Sequence, residues 1–255
     1  MIVREARQRP LAWPERRKQV STWAVPFFAI EWVLEWVAYL LSHWHFVIVL
    51  EYLGSLSILV AVFFYFHDAE NRVKQRHYQA WQVINTAQGK GGSGGRIEAL
   101  QELNEDGVPL VGVDVSGAFL QGIHLGKAHL VRSNFNAADV RNGDFREADL
   151  RDSDLHSANF RQSSFNQASL AGARLDDADL QGADLGDADL SGTILDNADL
   201  RFVSASNAGW NRIRSIQGAN LFGLRNAPAG FLEWAVKRGA VQTETDEQWE
   251  RLRTR

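Results

Sequence analysis

The 255-residue chain has no cysteine. That excludes disulfides, a thiolate metal site and a cysteine nucleophile, and it agrees with exposure to the cytosol. The first twenty residues are basic but lack the small-residue cleavage site of a signal peptide. Histidines are placed without partners: His124 and His129 are five apart and fall on different faces of any five-residue repeat, and His43 and His45 flank one Trp with no third ligand. No Ser–His–Asp set and no paired-acid site follows from the spacing, so no catalytic residue, cofactor or metal is expected. Two glycine patterns have no chemistry behind them. Gly91-x-Ser93-x-Gly95 has no strand before it to make a nucleophile elbow, and Gly89-Lys90 lacks the Ser or Thr of a phosphate loop. The composition of 89–95 reads as a flexible linker.

One five-residue phrase dominates what is there. From position 110 to 200 in steps of five the residues are Leu, Val, Leu, Leu, Leu, Phe, Val, Phe, Leu, Leu, Phe, Phe and then seven Leu, nineteen apolar residues without exception. Two residues before each stands Ala, Ser, Gly or Thr in sixteen of the nineteen cases, Val108, Val113 and Ile123 being the others. Asp or Asn commonly lies between, as in Ala138-Asp139-Val140 and Ala178-Asp179-Leu180. A period of five matches neither a helix at 3.6 nor a strand at 2. It implies a solenoid in which each unit buries one large and one small residue against the copies above and below.

These residues resemble the pentapeptide-repeat family, whose consensus is A(D/N)LXX. The resemblance implies a right-handed quadrilateral β-helix with four pentads to a coil, each coil rising ~4.8 Å by strand spacing. Phe145 and Phe165, one coil apart, are then expected to stack. The register breaks after Phe202 and resumes shifted by one at Ala219-Asn220-Leu221, so one further, imperfect coil is expected and the β-helix is placed at 108–224. Residues 96–107 are expected to form an N-terminal cap helix. A second cap lies within 225–241, where Phe231 and Trp234 are apolar candidates for a cap or a dimer contact, and 242–255 is read as a polar, loosely ordered tail.

Ahead of the repeats, residues 1–21 form a basic tail and 22–66 two apolar runs joined by Ser42-His43-Trp44-His45. Each run is about long enough to cross ~30 Å of hydrocarbon as a helix, which predicts a transmembrane helical hairpin. Lys and Arg flank both outer ends and are absent from the tip, so the positive-inside rule puts both termini and the β-helix on the cytoplasmic side of an inner membrane. Residues 67–95 read as a juxtamembrane helix and Gly-rich linker. Glu31, Glu35 and Glu51 interrupt the apolar runs, and acids at such positions suggest an oligomer seam or an ion path.

Function is less defined. Between Asp176 and Asp199 stand Asp176, Asp177, Asp179, Asp184, Asp187, Asp189, Asp196 and Asp199 with no Lys or Arg, which predicts an acidic docking surface. The expectation is a non-enzymatic, membrane-anchored scaffold with lipid and protein partners, binding through a preformed surface. A pore or membrane effector formed by a homo-oligomer, gated by the β-helix, is the alternative. A second alternative rests on the family, which includes quinolone-resistance proteins that mimic DNA and bind gyrase. Direct nucleic-acid binding is not expected.

Overall fold

Leu at every fifth position can be buried only if the chain turns four times per coil, and the computed structural model shows that path. It describes residues 8–18, 21, 24–43, 45–86 and 93–253. Parallel bridges join residues twenty apart, for example Asp139 to Asn159, Asn159 to Asp179 and Asp179 to Asp199. Four faces result: A through Leu130, Leu150 and Leu170; B through Phe135, Leu155 and Leu175; C through Val140, Phe160 and Leu180; D through Phe145, Phe165 and Leu185. After Gly209 the bridge spacing becomes twenty-one, as in Ile194 to Ser215 and Asp199 to Asn220, so the shift seen in the sequence is one residue inserted at a corner. Face C has the longest ladder and ends at Val241, paired with Asn220.

Each pentad is held twice. Its apolar residue donates to the next coil, as Leu130 N to the Asp149 carbonyl at 2.8 Å, and its carbonyl closes a turn, as Leu130 O accepting from Ser133 N at 3.0 Å. From 112 to 207 the second turn residue is left-handed, whether Gly122 (φ 72°), Asn142 (φ 58°) or Phe202 (φ 60°), the geometry a type II turn demands. Asp or Asn before the apolar residue accepts the backbone N–H two residues on: Asp184 from Gly186 at 3.0 Å, Asp189 from Ser191 at 3.0 Å, Asp179 from Gln181 at 3.1 Å. The consensus acid is therefore a turn-former before it is a charge.

Large residues at the centre and small ones two positions earlier fill the interior. Phe135, Phe145, Phe160 and Phe165 are fully buried. Phe145 and Phe165 stack at 5.2 Å with planes 10° apart, as their twenty-residue spacing requires. Below them a cavity of about 20 Å³ remains among Leu185, Leu190, Leu200 and Phe231, room for one water at most.

An open coil exposes unpaired strand edges, and both ends are closed. At the start, α5 (Arg96–Glu105) buries Ala99, Leu100 and Leu103. Its Asn104 Nδ2 donates to the Gly126 carbonyl at 3.0 Å, and its Gln101 Oε1 accepts from His124 N at 2.9 Å. Ala80 and Ile84 of α4 (Ala69–Thr86) join the same core. The stretch read as a juxtamembrane helix thus supplies part of the cap. At the far end α6 (Phe231–Lys237) buries Phe231 and Ala235. The tail after 241 is not loose: it carries α7 (Asp246–Arg253), and Trp249 is buried with Nε1 donating to the Gly218 carbonyl at 2.8 Å.

The chain divides into two compact units, Met1–Arg72 and Val73–Arg255. The first holds α1 (Trp13–Arg17), α2 (Val25–His43) and α3 (His45–His67). Nineteen residues of α2 span ~28 Å at 1.5 Å per residue, and α2 is long and apolar enough to cross a membrane. Every described side chain of the 23-residue α3 is exposed, including Leu59 and Phe63.

Candidate functional site

The acids of the first unit meet a cation. Arg16 of α1 pairs with Glu35 and lies 3.6 Å from Glu31. The helical spacing of four puts both carboxylates on one face, and α1 folds against that face: Trp32 Nε1 donates to the Leu11 carbonyl at 2.8 Å, and Trp13 meets Trp32 at 5.5 Å. The Glu51 side chain lies outside the described residues.

The eight aspartates from Asp176 to Asp199 do not form one surface. Twenty-four residues make more than a full coil, so the run wraps all four faces: Asp189 on A, Asp176, Asp177 and Asp196 on B, Asp179 and Asp199 on C, Asp184 and Asp187 on D. Asp199 is buried. Asp196 accepts from the Ser215 hydroxyl and from Gln217 N. Asp176 lies 2.7 Å from His156 Nδ1 and 3.2 Å from Arg174 Nη2. His156, Asp176 and Asp177 bring donor atoms within 4.8 Å of one another, but Arg174 already supplies positive charge there. Phe231 and Trp234 lie in the lower cap, where Trp210 packs on Phe231 at 5.6 Å and on Trp234 at 5.3 Å and Arg238 covers the Trp234 ring at 4.3 Å.

What the sequence reading missed is an Asp-x-Arg unit, present four times. In Asp139-x-Arg141, Asp144-x-Arg146, Asp149-x-Arg151 and Asp199-x-Arg201 the arginine's Nε donates to one carboxylate oxygen and Nη2 to the other. The distances are 2.8 and 2.7 Å for Arg141, 2.8 and 2.6 Å for Arg146, and 2.7 and 2.6 Å for Arg151. For Arg201 they are 2.9 and 2.5 Å. The two-residue offset along an extended strand was the available signal, since it places both side chains on one outward face. These bidentate bonds hold Asp139, Asp144 and Asp149 below their ordinary pKa, the arginine hydrogen bond being the main cause. Arg201 is buried and its own pKa is raised by the same bond.

Arg201 also binds the tail. Its Nη1 donates to the Glu244 carbonyl at 3.1 Å, its Nη2 lies 2.7 Å from the Asp246 carboxylate, and its guanidinium sits 5.6 Å from the Trp249 ring centre. Further up face C a groove of about 520 Å³ runs between Gln121, Arg141, Arg161, Gln162, Gln181 and Phe202. Arg161 Nε donates there to Asp179, one coil on, at 2.5 Å.

The pentapeptide-repeat model matches this chain in overlapping segments from 110 to 208. Among solved structures, a pentapeptide-repeat protein from the Arabidopsis thaliana thylakoid lumen is 24% identical, over 54% of this chain and 81% of its own, with a TM-score of 0.29. HetL, a pentapeptide-repeat protein involved in heterocyst differentiation regulation in Nostoc, is 26% identical over 44% of this chain and 55% of its own, with a TM-score of 0.22. QnrB1, a plasmid-mediated fluoroquinolone resistance protein, is 17% identical over 56% and 83%, with a TM-score of 0.30. A search of curated proteins gave no match. Repeat period, coil geometry and family model agree that residues 110–208 form a pentapeptide-repeat domain of the β-helix fold.

Proposed function

We propose that the chain is a membrane-anchored, non-enzymatic scaffold whose β-helix presents a preformed docking surface in the cytoplasm. The observation that carries the anchor is α3, apolar on all sides and exposed at every described side chain. A helix apolar all round belongs in a core or a bilayer, and among the described residues no core surrounds α3. With α2 it makes two spans flanked by Lys and Arg. The rigid solenoid loses little entropy on binding, which suits recognition better than turnover. Its interior is closed, and many of its outer acids are engaged in turns and ion pairs.

Arg16 gives Glu31 and Glu35 a counter-charge within the chain, which favours the anchor reading over an acid-lined pore. Spread over four faces, the aspartates make no single charged strip, which favours the scaffold reading over DNA mimicry. The absence of cysteine makes topology directly testable. Single cysteines at Ser55 within α3, at Ser93 and at Ser164 are introduced into membranes of expressing cells and treated with a membrane-impermeant maleimide. Ser93→Cys and Ser164→Cys are expected to label only after the membrane is opened, and Ser55→Cys to resist labelling until detergent is added. Labelling of Ser164→Cys on intact cells, or recovery of the chain in the soluble fraction, overturns the assignment.

A further inference from the structure

We propose that the face C groove is the docking site for an acidic, aromatic-bearing peptide segment of a partner protein, of the chemistry that this chain's own tail presents to Arg201. This names a partner class for the scaffold reading and rests on it for its setting.

The warrant is a filled site and an unfilled copy of it on one face. Arg201 and Arg141 occupy equivalent positions three coils apart, about 14 Å along the stack. Both clamp the Asp two residues before through Nε and Nη2. At Arg201 that clamp does not exhaust the guanidinium. Nη1 takes a backbone carbonyl, Nη2 takes a second carboxylate, and the ring of Trp249, three residues after Asp246, lies against the cation. The arginine side chain is consequently only 8% exposed, against 44% for Arg141.

At Arg141 the same clamp leaves the outer side of the guanidinium open to the groove. Nη1 of Arg141 has no partner among the described residues, and Arg161 adds a second guanidinium. Phe202, 44% exposed, offers an aromatic wall at the lower end. Phe202 is held in the left-handed region at φ 60°, a conformation costly for a bulky side chain. Gln162 and Gln181 between them can pair with a peptide backbone. A carboxylate beside an Arg–Asp pair, an aromatic ring on guanidinium or Phe202, and main-chain amides against glutamines describe one extended or helical acidic segment.

The probe is a synthetic peptide of residues 243–253, TETDEQWERLR, labelled and titrated by fluorescence anisotropy against the full chain in detergent. The expected result is saturable binding at one site per chain. It is expected to fall tenfold or more with Arg141→Gln, and likewise when the peptide carries Asp246→Asn, while Arg174→Gln, outside the groove, leaves it within twofold. Gln181→Glu adds a negative charge to the groove without touching the Asp139–Arg141 pair, and is expected to weaken binding even if Arg141→Gln perturbs the coil. Binding lost with Arg201→Gln but kept with Arg141→Gln shows exchange with the chain's own tail and overturns the proposal. So does an absence of saturable binding, or indifference to Gln181→Glu. The titration does not depend on membrane insertion, so its failure and that of the anchor are read separately.

Discussion

Gly143 stands at the small position of its pentad, where eleven of nineteen repeats have Ala. Its backbone is not left-handed, so by sequence logic Gly143→Ala matches the consensus and trims the entropy of the unfolded chain, a gain of about 0.4–1 kcal/mol. The structure predicts the opposite sign. A Cβ built on Gly143 lies 2.8 Å from Phe145 Cε2, 2.9 Å from the Val140 carbonyl oxygen and 3.2 Å from Val140 Cγ1. The carbonyl belongs to the turn, and Phe145 is wedged among Phe135, Phe160 and Phe165 with centroids 5.2–5.9 Å away, so neither has room to yield. Overpacking of this kind costs roughly 1–3 kcal/mol; less the entropic gain, a mid-range net loss of about 1 kcal/mol lowers the melting point by roughly 2–4 °C for a domain of this size. Circular dichroism and tryptophan fluorescence melts of the full chain in detergent measure it. In a double-mutant cycle Phe145→Leu, which withdraws the ring edge but leaves the Val140 carbonyl in place, is expected to reduce the loss from Gly143→Ala and give a coupling of ~1 kcal/mol. A Gly143→Ala protein that melts higher than the parent refutes the packing argument.

Three further outcomes follow from the same geometry. Gly122→Ala places a methyl in open space at φ 72°, so it isolates the backbone cost of the left-handed corner and should destabilise by roughly 1–2 kcal/mol in denaturant unfolding. Asp139, Asp144 and Asp149 titrate below their unfolded value of about 4. Their contribution is therefore complete above that value and is lost as pH falls through the lower folded pKa. Replacing all three by Asn keeps the turn acceptor, and should flatten the fall in melting temperature as pH drops below about 4. In the first unit, Arg16→Gln leaves Glu31 and Glu35 without their cation and should lower the yield of monodisperse chain in detergent. Adding Glu35→Gln should restore it, and size-exclusion profiles decide.

The repeat was legible because burial is periodic: nothing but a five-residue coil hides Leu170, Leu175 and Leu180 together. The left-handed corners were legible in principle, since eleven of nineteen corner residues are Gly, Asn or Asp, yet the same residues also read as ordinary solvent-facing choices. Helix α7 was not legible. Its segment Asp246–Arg253 offers only Trp249 and Leu252 as apolar residues, and what orders it is Arg201, some forty-five positions earlier. Arg96 is another case. A basic residue beside a glycine linker reads as solvated, but it is fully buried with its pKa lowered by desolvation, and its Nε donates to the Ser93 carbonyl at 3.1 Å. The aspartates of 176–199 are dispersed for a geometric reason: neighbours in sequence leave each other at every corner, and only residues twenty apart remain together.

Gln101 and Asn104 plug the peptide groups at the top of the rod, while Val241 and α7 occupy those at its foot. A parallel stack left bare at either end would template copies of itself and lengthen into fibres. Here the number of storeys is set once, at synthesis, and each molecule stays a ruler of constant length.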